Sequence, residues 1–238
     1  MTQAADKPIL SQDLLLGLAE QLKLPLLQIA RRSELASFGQ EVDNAAIQAT
    51  ADSALRLIDS YLLGVRLAEE GSQQSLALEP VSVSSVLYDT AHELSSLAKF
   101  YGVHLELSIA GKYGPVTANK QALQAALTSL GMSLIEALPA LDSKDVTLQL
   151  GAHRSRYGIV AGLYADTPSL NADTLRRGAE LLGKSRQPLV GITHSSGAGI
   201  FVADTILQAM QLRLAPTRHN KLYGLGAVLQ PNKQLQLV

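Results

Sequence analysis

Few side chains in this sequence sit at spacings that do chemistry. Five histidines are present (His92, His104, His153, His194 and His219) and no cysteine. The histidines are scattered, without the close spacing of a metal site. The missing cysteines exclude thiol catalysis, disulfides and cysteine metal sites. Asp142, Asp145 and Asp166 are separate loop carboxylates, and nothing in the sequence makes them converge. No Gly-x-Ser-x-Gly, Walker loop or paired His-Glu helix motif occurs. The stretch Ser195-Ser196-Gly197-Ala198-Gly199-Ile200 runs into a helical pattern. Glycines at a helix start can present amide donors to a phosphate, or can simply let a loop pack closely.

Composition narrows the classes. Of 238 residues, 47% are hydrophobic and 17% charged, which describes a folded chain with a core. A net charge of -1 gives no basic field for nucleic acid or an anionic membrane. No apolar run approaches the roughly 20 residues of a membrane helix. The start, Met1 to Lys7, lacks the basic and apolar pattern of an export signal, so a cytoplasmic protein is expected. Tryptophan is absent and aromatics are 4%, against a stacking platform for bases or sugars.

The elements that would position any site fall into two groups. Ser11 to Ser37 carries apolar residues at Leu15, Leu18, Leu22, Leu26 and Ile29. Asn44 to Glu70 carries them at Ile47, Ala51, Ala54, Ile58, Tyr61 and Val65. Steps of three and four put one stripe on each of two helices. Ser11 is the expected N-cap of the first, and Pro25 is expected to kink it. Joined through Phe38-Gly39-Gln40, the pair makes an antiparallel hairpin. Its stripe has no cover, so a second copy is expected to close a dimeric four-helix bundle. The polar Gly71 to Ser75 reads as a linker, dividing residues 1–71 from 72–238.

Beyond it helices and strands alternate. Helices are expected over Ser84 to Phe100, from the Asn119 cap to Pro139, over Asp173 to Leu182, and over Gly199 to Met210. Strands are expected at His104 to Ile109, Pro115 to Thr117, Val146 to Leu150, Tyr157 to Tyr164, Leu212 to Leu214, Leu222 to Gln230 and Gln234 to Val238. Asp166 to Ala172 and most of Gly183 to Ser196 read as loop. The class is α+β: a helical hairpin, then a two-layer α/β sandwich with mostly antiparallel strands and helices on one face.

This order resembles the core of a sensor histidine kinase, a dimerisation and phosphoacceptor hairpin followed by an ATP-binding domain of the gyrase, chaperone and kinase type. Ala19-Glu20-Gln21-Leu22-Lys23-Leu24-Pro25-Leu26 lies without a gap over the family's Ser-His-Glu-Leu-Arg-Thr-Pro-Leu. Leu55-Arg56-Leu57-Ile58-Asp59-Ser60-Tyr61-Leu62-Leu63 is similar to its Leu-Ile-Asp-Asp-Leu-Leu run, and Leu78-Glu79-Pro80-Val81 to the entry of its nucleotide domain.

The resemblance implies where the chemistry would sit, and the residues there differ. Glu20 stands at the phosphoacceptor histidine, Gln21 at its acidic neighbour, and Leu24 at the polar residue that positions water. Glu20 reads as a solvated helix residue, or as a fixed charge that imitates a phosphorylated state. Ser133 stands at the magnesium-binding asparagine and Glu136 at the basic residue near the phosphates, where it would repel them. At the adenine turn, Ala165 replaces the aspartate, with Asp166 one residue away, and Thr167 and Ser169 replace the glycines. Gly197 and Gly199 match the second glycine box, with Lys184, Arg186 and His194 in the lid segment. His92, in Ala91-His92-Glu93-Leu94, mimics the phosphoacceptor box, but Leu97 takes the place of its proline.

The expected function is therefore a degenerate histidine-kinase-like signalling protein, a pseudokinase. It would act as a dimeric scaffold or regulator of a two-component pathway, without autophosphorylation and with no cofactor. A response regulator or a sensor histidine kinase is the implied partner. Two alternatives stay open: a divergent kinase or ATPase that holds ATP through Asp166, Gly197 and Gly199, and a phosphotransfer protein that uses His92.

Overall fold

The computed structural model describes residues 7–39, 44–70, 76–109, 111–141, 146–166 and 194–232. Expectations on Ser72 to Ser75, Asp142, Asp145, Asp173 to Leu182, Lys184, Arg186 and Gln234 to Val238 lie outside these residues.

The hairpin forms as the periodicity requires, from α1 (Lys7–Ser37) and α2 (Asn44–Glu70). Ser11 lies inside α1, not at its cap, because the helix already begins at Lys7. The sandwich follows as β1 (Glu79–Val81), α3 (Val83–Phe100), β2 (His104–Ile109), β3 (Val116–Ala118), α4 (Lys120–Leu141), β4 (Thr147–Ser155), β5 (Gly158–Ala165), α5 (His194–Ala209), β6 (Leu214–His219) and β7 (Leu222–Leu229).

Local chemistry accounts for most of these boundaries. The Ser82 hydroxyl accepts the Ser85 amide, 3.4 Å away, and so caps α3. Gly102 takes φ 68° just past its end, the left-handed conformation that glycine adopts at no steric cost. The Asn119 carboxamide accepts the Ala122 amide at 3.0 Å and donates to the Ala77 carbonyl at 3.0 Å, so it caps α4 and ties down the incoming chain.

Two helix ends depart from expectation. Helix α4 runs through Pro139 to Leu141, because the fixed φ of proline is itself helical and its only loss is one bond near the end. Helix α5 starts at His194, so Ser195 and Ser196 are helical and both Gly197 and Gly199 lie within it. Glycine weakens such a segment, and packing on α4 offsets that.

Five strands form one sheet in the order β2-β4-β5-β7-β6, with β2 and β4 parallel and the remaining pairs antiparallel. The strands β1 and β3 pair separately. One face of the large sheet presents Leu148, Leu150, Ala152, Leu163, Ala161, Leu225 and Ala227 to α3, α4 and α5, forming a single apolar core. This is the two-layer α/β sandwich that the alternation implies.

The hairpin differs from expectation in what covers it. Both of its helices pack on α5. Leu57, Tyr61 and Leu67 belong to the sandwich core, with Leu18, Leu22 and Val65 packed against it. A Cβ on Gly64 would lie 3.1 Å from the Val202 side chain, so glycine lets α2 approach α5 closely. The stripe thus finds much of its cover within the chain. The reason is that α5 is apolar on more than one side, serving both α4 and the hairpin.

Candidate functional site

Two places gather the residues that the sequence singled out. The first is the seam between α4 and α5. Ser133 is 0% exposed, and its hydroxyl, like that of Ser129, has no hydrogen-bond partner among the described residues. A Cβ built on Gly199 would overlap the Ser133 hydroxyl and stand 2.9 Å from the Ser129 carbonyl oxygen. Here Gly199 allows one helix to touch another. Gly197 is one turn-half earlier in α5, and Asp166 is exposed at the end of β5.

The second place is a cleft of about 340 Å³ between the hairpin and helices α3 and α4. Pro25 and Gln28 line it from α1, Arg56 and Leu57 from α2, His92 and Glu93 from α3, and Glu136 from α4. Glu93 is the polar centre of this joint, its side chain only 8% exposed. It accepts from the Thr128 hydroxyl at 3.0 Å and the Gln124 amide at 3.3 Å, and it pairs with Arg56 Nε at 3.4 Å. A buried carboxylate satisfied by three donors ties the hairpin to the sandwich. His92 is exposed beside it. Consecutive helix residues point about 100° apart, so Glu93 does not back the His92 imidazole.

Glu136 also belongs to this joint. Burial, with the Glu136 charge adding to it, pushes the Tyr101 hydroxyl up to about 12 and the Tyr61 hydroxyl higher still. Both phenols stay protonated at every ordinary pH.

The remaining sequence candidates are placed as follows. Glu20 and Leu15 lie on α1, with side chains outside the described residues. Ala54 and Tyr61 are buried inside the chain, while Leu18, Leu22, Ile29, Ile47, Ile58 and Val65 are half-buried. Leu26 on α1 and Leu55 and Leu62 on α2 stay exposed, at 57, 59 and 49%. Sequence reasoning missed the group made by Arg56, Glu93, Gln124 and Thr128, since each is an unremarkable polar residue on its own helix. Among the described residues no cluster of three acidic or histidine side chains could hold a metal, and no helix is long and apolar enough to cross a membrane.

No protein-family model and no curated protein matches the sequence. Solved structures do match the fold. The Acinetobacter baumannii histidine kinase AdeS superposes with a TM-score of 0.52 at 13% identity, over 89% of this chain and 98% of that one. Full-length ShkA in complex with AMPPNP superposes with a TM-score of 0.53 at 15% identity, over 81% of this chain. This chain spans 40% of that longer protein.

Proposed function

We propose that this chain, which has the fold of a sensor histidine kinase core, is a pseudokinase of two-component signalling. It acts as a dimeric scaffold or regulator that binds a response regulator or a sensor histidine kinase and does not autophosphorylate. The observation that carries this reading is the contact of Ser133 with Gly199. Where kinases of this fold hold magnesium and phosphate, this chain brings two helices into contact over a fully buried serine. A magnesium ion requires several oxygen ligands in open octahedral geometry, which a buried hydroxyl under a helix does not offer. The residues at this seam do not fit a magnesium-bound nucleotide. Glu136, which would repel phosphate, is engaged at the hairpin joint instead.

The hairpin supports the dimeric half of the proposal. Leu55, Ile58 and Leu62 step by three and four along α2, on a strip the chain itself leaves partly open. A second hairpin laid on that strip would cover it. Light scattering of the intact chain is expected to give twice the monomer mass, falling to monomer for Leu62→Asp. A charge on this exposed strip costs the single chain little, yet it breaks an apolar dimer contact. An unaltered mass would remove the dimer from the proposal.

The catalytic half is tested by titrating ATP with and without magnesium, and by incubating the chain with γ-labelled ATP. No saturable binding and no covalent label are expected. Micromolar binding would turn the assignment to a divergent ATP-using enzyme. Acid-labile label carried over from a phosphorylated regulator and lost in His92→Ala would turn it to phosphotransfer, which the exposure of His92 at the cleft mouth allows.

A further inference from the structure

The face of the sheet turned away from the helices carries a cluster of its own. Gly151 on β4 pairs with Gly162 on β5, which pairs with Gly226 on β7, so the middle of this face has no side chains. His219, at the end of β6, reaches over that floor: a Cβ on Gly151 would lie 3.1 Å from the His219 ring. Its ring stacks on His153, with centroids 4.8 Å apart and planes within 8°. Tyr164 closes the group 5.3 Å from His219. The β6–β7 turn that delivers His219 consists of Asn220 and Lys221, both at positive φ (48° and 69°), as a tight two-residue hairpin requires.

Two neutral side chains lie within hydrogen-bond distance of the His219 ring. His219 Nε2 lies 3.1 Å from the Asn220 amide nitrogen, which can only donate, and 3.2 Å from the Ser108 hydroxyl. A neutral ring with Nε2 as acceptor matches the Asn220 side-chain donor. His153 Nδ1 is buried with no partner among the described residues. Burial lowers the proton affinity of both rings, and for His153 a charge on His219 lowers it further.

The surrounding groups do not reverse this. From β5, Tyr164 is a phenol raised by burial and neutral throughout. Tyr113, in the loop before β3, is also raised, and its hydroxyl donates to the Ala152 carbonyl. Glu106 on β2 is the carboxylate on this face, and it is engaged by Gln149 at 3.3 Å and His104 at 3.6 Å. Thr217 on β6 is neutral, while Arg154 beside His153 and Lys221 in the turn add positive charge.

We propose that His153 and His219 form a proton-operated latch, holding the β6–β7 turn over the outer face of the sheet at neutral pH and releasing it on acidification. The sign follows from linkage. A histidine whose proton affinity is lowered by folding stabilises the fold fully above its unfolded value, about 6.5, and loses that contribution as pH falls below it. Charging both rings would place like charges on centroids 4.8 Å apart, which opposes the stack.

The test is an NMR titration of the histidine rings of the intact chain from about pH 8 to about pH 5, read against the same titration of the denatured chain. His153 and His219 are expected to titrate below their values in the denatured chain. Amide signals from Thr217 to Gly226 are expected to shift with them. Midpoints coinciding with those of the denatured chain, or ring titration that leaves those amides in place, would overturn the latch. The double variant His153→Gln, His219→Gln is expected to show no acid transition at these amides, and its persistence would also overturn the proposal. The titration of the unaltered chain decides the matter by itself should the variant not fold.

Discussion

Replacing Tyr61 by alanine is expected to lower the unfolding free energy by about 3–5 kcal/mol, the range for removing a fully buried aromatic ring. Tyr61 is 2% exposed and sits on α2, yet its neighbours belong to the sandwich core. The ring fills the joint next to the Gly64–Val202 approach and beside Glu136. Truncation would leave a cavity between the hairpin and the sandwich, at a joint that the Arg56–Glu93 pair also spans. Neither partner can collapse into the cavity without moving the whole hairpin. Chemical denaturation measures the loss. Tyr61→Phe keeps the ring, so it should cost much less, limited to the polar contact of the hydroxyl. A hairpin that made its only contacts with a second chain would give a different result. Tyr61→Ala would then change the dimer mass and leave the stability of the sandwich untouched. A loss under about 1 kcal/mol would mean that α2 is not held on α5 as described.

What the sequence disclosed, and what it withheld, divides along the reach of each signal. The hairpin and the individual strands of the sheet are written in local periodicity, while the parallel pairing of β2 with β4 is not. Leu18, Leu22 and Ile29 recur at helical spacing, and Leu148, Leu150, Leu163 and Leu225 alternate with residues of the outer face. Caps such as Asn119 are local as well, since donor and acceptor lie three residues apart. The cover of the stripe was not legible. Tyr61 stands on the apolar stripe, but whether α5 or a second chain meets it depends on residues far along the chain. The same holds for Arg56, Glu93 and Thr128, polar residues on three helices that only the tertiary fold brings together. His153 and His219 are 66 positions apart by number, and only the register of β4, β5 and β7 stacks them. Among the site residues, Ser133 and Gly199 were each legible as positions of interest. Their contact with one another was not.

That contact supplies the second large effect. Gly199→Ala is expected to destabilise the fold by about 1–3 kcal/mol, the cost of forcing an extra methyl into a packed seam. The new Cβ would overlap the Ser133 hydroxyl, which can be relieved only by moving that side chain, and would crowd the Ser129 carbonyl oxygen, which belongs to the backbone of α4 and cannot turn away. The two helices must therefore separate along their packed seam. Helix propensity works the other way, since alanine is favoured over glycine in a helix interior by about 1 kcal/mol. Steric conflict wins because it acts on a close-packed core instead of on the backbone alone. Combining Gly199→Ala with Ser133→Gly removes the first clash and keeps the second, so the pair should recover part of the loss, a coupling visible as non-additivity in denaturation curves. The measurement separates the two roles a glycine can have here. Were Gly199 present to cradle a phosphate, alanine would leave stability intact or raise it, and would weaken nucleotide binding. As a packing glycine it lowers stability with no nucleotide in the experiment, and a fold as stable as the parent would return the α4–α5 seam to the list of possible phosphate sites.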